Sequence, residues 1–116
     1  MEAHDIDRRL YPRVPYGAYV EDISHEGNLG FYLSRNLSQG GLLLQTDEGS
    51  TPPVGSQVRL RLIVENEVRP LTVNGQVVRQ SPNPGGGVLF AVKFEGLDRS
   101  TVNYLRELVT DLATSA

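Results

Sequence analysis

Three guanidinium groups fall within six residues near the start of the chain, in Arg8-Arg9-Leu10-Tyr11-Pro12-Arg13. A guanidinium fork binds phosphate oxygens in bidentate fashion and also matches O6 and N7 of guanine. Further on, Asn36-Leu37-Ser38-Gln39-Gly40-Gly41 offers an amide, a small hydroxyl and two glycines. The amide both donates and accepts, so with the hydroxyl it can address a base edge. The glycines let the backbone approach a flat ligand with no Cβ in the way. Taken singly, the first set is also what a solvated basic terminus carries, and the second is what a β-turn carries. Together they supply the parts of a nucleotide site.

These residues need elements to position them. Pro12 and Pro15 exclude a stable helix around Arg9 and Arg13. Residues 1–15 are therefore expected as a flexible, extended arm leading into the first strand. From Gly17 to Glu95 the chain alternates. Val58, Leu60, Leu62 and Val64 alternate with Arg59, Arg61 and Ile63, the period of a half-buried strand. Val88, Phe90, Val92 and Phe94 repeat the pattern, and Leu71, Val73 and Val77 share one face of a strand between them, with Gly75 expected as a bulge or bend. Asn66-Glu67 reads as a hairpin tip, and the breaker cluster 81–87 as a loop. Tyr16 to Ile23, Leu29 to Asn36 and Leu42 to Thr46 complete a set of six. Six short strands with Gly/Pro punctuation predict a mainly β fold, a small six-stranded antiparallel β-barrel over residues 16–97 whose closure removes exposed edges.

The last segment changes period. Val102, Leu105, Leu108, Val109 and Leu112 fall on one helical face. This predicts a C-terminal α-helix over 98–113, with Asp98 or Ser100 as N-cap, packing on its own barrel in preference to a partner chain. The whole is a single domain.

Composition narrows the function. A net charge of −3 argues against general DNA or RNA binding, which relies on broad phosphate neutralisation. Cysteine is absent and only His4 and His25 carry imidazole, so no metal site is expected. No nucleophile–base spacing points to a catalytic residue, and Gly85-Gly86-Gly87 lacks the Lys-Ser/Thr of a phosphate-binding loop. The chain is expected not to be an enzyme. No apolar run is long enough to span a bilayer, and the N-terminus is acidic, so a cytoplasmic location is expected. Among the tyrosines, Tyr11 is best placed to stack on a purine; Tyr16, Tyr19 and Tyr32 read more simply as core or rim.

In their order and spacing, Arg9-x-x-x-Arg13 and Asn36-x-Ser38-x-x-Gly41 resemble the paired motifs of the PilZ domain family, the bacterial receptors for cyclic di-GMP. Asn-Leu-Ser-Gln-Gly-Gly-Leu (36–42) is similar to that family's strand–turn–strand signature, and Val-Gly-Ser-Gln-Val-Arg-Leu (54–60) to its next strand. The resemblance runs from Arg8 to the terminal helix. It implies a PilZ-like split barrel that binds cyclic di-GMP as its ligand, with no cofactor. Arg9 and Arg13 would grip phosphate and guanine, Arg8 would assist a stacked pair of ligands, and Asn36, Ser38, Gly40 and Gly41 would shape the guanine pocket.

It further implies two cyclic di-GMP per chain and ligand-induced ordering of the arm. The signal would pass to an effector protein, from a receptor that is a monomer or homodimer. The alternative is an adaptor acting through protein contacts alone. Two positions depart from the family pattern. Asn36 stands where Asp is commoner, losing a carboxylate acceptor. Leu89 to Phe94 replaces a small Gly-x-Gly-like stretch, leaving Phe90 to fill the barrel or crowd the site.

Overall fold

Alternating burial carries the chain around a closed sheet. The computed structural model describes residues 14–24, 30–46, 51–63 and 70–115. Its strands are β1 (Val14–Pro15), β2 (Tyr19–Asp22), β3 (Gly30–Leu37), β4 (Gly41–Thr46), β5 (Gln57–Leu62), β6 (Leu71–Pro82) and β7 (Val88–Glu95). One helix, α1 (Arg99–Ser115), follows. The strands β3, β2, β5, β6, β7 and β4 are neighbours in that order, and β4 pairs back onto β3. All these pairings are antiparallel. The expected six-stranded antiparallel barrel is therefore closed, which satisfies the edges of its strands. β1 adds to β3 on the same edge as β2.

The inward residues of each strand form one core: Val20, Tyr32, Leu37, Leu42, Leu44, Val58, Leu60, Leu62, Val73, Val77, Phe90, Val92 and Phe94. Each large apolar side chain so buried contributes about 1.5–3 kcal/mol. Phe90 is 1% exposed and meets Tyr32 edge to face, ring centroids 4.9 Å apart. It fills the barrel interior.

Two details of β6 differ from expectation. Gly75 lies in regular register, opposite Val58 and Phe94, and the bulge falls between Val77 and Arg79 instead. Gly75 is needed for close approach: a Cβ there would stand 2.7 Å from the Lys93 carbonyl oxygen. Ser81 and Pro82, expected in the loop, pair with Leu89 and Val88. Pro82 is tolerated because it is the last residue of the strand, where a missing N–H breaks no interior ladder bond. The expected hairpin tip at Asn66-Glu67 lies outside the described residues.

Asp98 caps α1. Its Oδ1 accepts from the Thr101 N–H at 2.8 Å and from the Ser100 hydroxyl at 3.0 Å, satisfying a donor the helix cannot. These bonds, the Thr101 N–H first, hold its carboxyl below the usual carboxylate range. Leu105 and Val109 enter the barrel core, with Leu108 and Leu112 packed against it. The helix packs on its own barrel and lies against β1.

Candidate functional site

Along β3, Tyr32 and Ser34 point inward, and strict alternation would send Asn36 after them. A bulge between Ser34 and Asn36, opposite Leu44 and Leu43, breaks the count. Leu37 becomes the fully buried residue, and Asn36 is left half-buried beside the turn. Bulges commonly re-aim a side chain in this way. The Asn36 Oδ1 is buried and has no hydrogen-bond partner among the described residues. An acceptor so placed is short of a donor by about 1–3 kcal/mol.

The turn that follows is held by Ser38. Its N–H donates to the Gly41 carbonyl at 2.8 Å. Its hydroxyl accepts from the Gly40 and Gly41 N–H groups, each at 3.2 Å, and donates to the Gly41 carbonyl at 3.3 Å. A serine hydroxyl has one proton and two lone pairs, and all are used inside the turn. Ser38 thus fixes the backbone of the turn, and the acceptor left without a partner among the described residues is the Asn36 Oδ1. The turn is pinned to β7 as well. Phe94 donates its N–H to the Gly40 carbonyl at 2.9 Å, and Gly41 pairs with Lys93. Beside it lies a shallow depression lined by Ser38, Gly40, Gly41, Leu42 and Leu43 on one side and by Val78, Ala91, Val92 and Lys93 on the other.

Arg8, Arg9 and Arg13 lie outside the described residues, as does Tyr11. The chain immediately after Arg13 does not: Val14 pairs with Leu37 and Pro15 with Asn36. The residues that follow are locked by Ser34, the one buried polar side chain among the described residues. Its hydroxyl accepts from the Ala18 N–H at 3.0 Å and gives its one proton to the Tyr16 carbonyl, while the Ser34 backbone N–H donates to the Ala18 carbonyl at 2.8 Å. The break between β1 and β2 is stitched to β3 at this point.

Tyr16 and Tyr32 are both 8% exposed core residues, whereas Tyr19 is exposed. Burial pushes the Tyr16 hydroxyl up to about 12, with Tyr104 adding to the shift. It raises Tyr32 as well, helped by the Asp22 carboxylate to which Tyr32 donates at 3.1 Å. On the outer wall Arg61 pairs with Glu21 at 2.8 Å, and Arg35 donates to Gln45 at 2.8 Å. Among the described residues no group of three or more His, Cys, Asp or Glu gathers to hold a metal, and no helix is long and apolar enough to cross a membrane.

Sequence reasoning missed Ser34, Val78 and Lys93. Ser34 left a signal, a hydroxyl on the inward phase of an apolar alternation. Val78 and Lys93 left none, because their place beside the turn depends on strands distant in sequence.

No curated protein matches the chain. Among solved structures it is similar to the Bacillus subtilis inhibitor of motility MotI/DgrA, with TM-score 0.80, 19% identity, and coverage of 93% of this chain and 52% of that one. It is similar to the PilZ domain with c-di-GMP of YcgR from Escherichia coli, with TM-score 0.72, 12% identity and 93% of each chain covered. The K. pneumonia MrkH–c-di-GMP complex gives TM-score 0.80 and 14% identity over 93% of this chain and 53% of that one. The chain thus spans about half the length of the MotI/DgrA and MrkH chains. At these identities the likeness speaks for the fold. The PilZ domain family itself matches residues 7–111, from the arginine segment through the barrel into α1, and the chain belongs to that family.

Proposed function

We propose that this domain is a receptor for cyclic di-GMP that works by binding, without catalysis. The observation that carries the reading is the β1–β3 register. It pairs Val14 with Leu37 and Pro15 with Asn36, so the residues that follow Arg13 in sequence lie along the end of β3 that leads into the Ser38–Gly41 turn, which supports a shared site. Two motifs far apart in sequence then serve one site. Arg9 and Arg13 take phosphate and guanine, Asn36 supplies an acceptor for guanine N–H groups, and the glycines leave the surface open. The ligand draws the arginine segment onto the turn, and the rearranged surface engages an effector protein. The YcgR and MrkH structures carrying c-di-GMP support this choice of ligand. Ordering the segment costs about 1–2 kcal/mol per residue fixed, which the ligand contacts must exceed. Calorimetry of the purified chain with cyclic di-GMP is the test. Saturable heat at micromolar ligand is expected, and its absence at tens of micromolar would sink the proposal.

A second reading, an adaptor that binds protein partners without the nucleotide, draws on the exposed Tyr19 (69%) and Phe31 (62%) of the outer wall. Partner capture with and without nucleotide separates the two, since a receptor's capture responds to the ligand and an adaptor's does not.

A further inference from the structure

Ten of the eleven basic residues are arginine, and the single lysine, Lys93, lines the depression beside the turn. It sits on β7, paired with Gly41 on one side and Gln76 on the other. Its position is tightly fixed. Gly41 has no Cβ, and the Lys93 Cα lies 3.3 Å from where one would be. The next residue, Phe94, bonds the Gly40 carbonyl. The side chain is exposed and makes no ion pair among the described residues, whereas Arg61 is engaged by Glu21 and Arg35 by Gln45. An exposed lysine with no carboxylate partner among the described residues, lining a depression beside glycine backbone and apolar side chains, is matched to an anion.

The strand order gives this charge a meaning. β3 has β1 on one edge and β4 on the other, and β4 is followed by β7. The β3–β4 turn therefore has Val14, the residue that follows Arg13 in sequence, on the β1 side and Lys93 on the β7 side. A cyclic dinucleotide carries two phosphodiesters on opposite sides of one ring, so one cationic source cannot serve both equally. We propose that Lys93 is a phosphate-binding residue of the nucleotide site, its ammonium meeting the phosphodiester that the arginine segment leaves free. The inference rests on the cyclic di-GMP reading given above. Lysine suits this duty because a flexible point charge can follow a phosphate across a partly solvated rim.

The test is calorimetric titration of the full chain with cyclic di-GMP at low and high salt, for the wild type and for Lys93→Met, Lys93→Arg and Lys93→Glu. Lys93→Met is expected to weaken binding about tenfold, the size of one charge-assisted contact at a rim. It should also flatten the salt dependence. Lys93→Glu should weaken binding further, and Lys93→Arg should stay near wild type. Ligand-free melting should be unchanged in all three, because the side chain is exposed. Wild-type binding with Met and Glu variants unaltered in affinity and salt response overturns the role of Lys93 and leaves the receptor reading standing. Equal losses in the Met and Arg variants overturn it too, because the charge would not be what matters. No binding by the wild type overturns both.

Discussion

The carbonyl oxygen of Val92 fills the space that a side chain on Gly41 would need. Gly41 is also the residue whose N–H and carbonyl both bond Ser38, so one position closes the turn and lets β4 and β7 approach. Gly41→Ala is therefore expected to destabilise the ligand-free fold by about 1–3 kcal/mol, the range for forced overpacking, and to remove nucleotide binding with it. Urea unfolding followed by circular dichroism reads the first effect. An unchanged midpoint would mean that β4 and β7 part at no cost.

The arginines should behave in the opposite way. Among the described residues the core cluster begins at Tyr16, and the barrel is expected to stand without the arginine side chains. Arg9→Ala and Arg13→Ala are each expected to abolish tight cyclic di-GMP binding, since each removes a bidentate charge-assisted contact, while leaving the ligand-free melting temperature in place. A loss of stability as large as that of a core truncation would make them structural residues.

If the receptor reading holds, base specificity is expected to depend on Asn36. Its buried Oδ1 has no donor among the described residues, and the guanine edge offers N1–H and N2–H₂ where adenine offers N6–H₂ beside an acceptor. Cyclic di-GMP should be preferred over cyclic di-AMP by about 1–3 kcal/mol, or about ten- to a hundredfold, and Asn36→Leu should erase most of that preference. Competition binding reads it directly. Equal affinity for both nucleotides in the wild type would mean that only phosphate is recognised.

Stoichiometry tests Arg8. Two stacked nucleotides bring four phosphates together and call for more cationic groups than one does, and Arg8 adjoins Arg9. Two cyclic di-GMP per chain are expected, falling to one in Arg8→Leu. Titration at protein concentrations well above the dissociation constant gives the ratio. A wild-type endpoint of one, unmoved by Arg8→Leu, would remove the role of Arg8 and leave the receptor reading intact.

Alkaline pH should unfold the barrel through its buried tyrosines. Tyr16, donating to the Ile63 carbonyl at 3.1 Å, holds its proton up to about 12, against 10.0 when unperturbed, and Tyr32 is raised as well. The fold binds these protons more tightly than the unfolded chain does. Their contribution to stability is full below pH 10.0 and declines as pH rises through about 12. Tyr16→Phe should lose about 1 kcal/mol at neutral pH with its hydrogen bond and show a shallower alkaline decline. Denaturant midpoints across this range, with tyrosinate absorbance alongside, check the sign. A midpoint that rises with pH would refute it.

The sequence by itself determined the six strands, the helical face of Leu105 and Val109, and the presence of a turn at Ser38–Gly41. Each is local: burial of one face imposes a period of two or 3.6, and a serine followed by two glycines makes its bonds within four residues. The tertiary structure decided where those periods slip. The bulges at Ser34/Asn36 and Val77/Arg79 keep Asn36 out of the core and turn Val78 toward the depression, and nothing in their residue types announces an extra residue in a ladder. It also decided who meets whom. The pairings of Pro15 with Asn36 and Gly41 with Lys93 follow from the register of the closed barrel. That register is set by all six strands burying their inner faces together, a condition no single stretch of sequence contains.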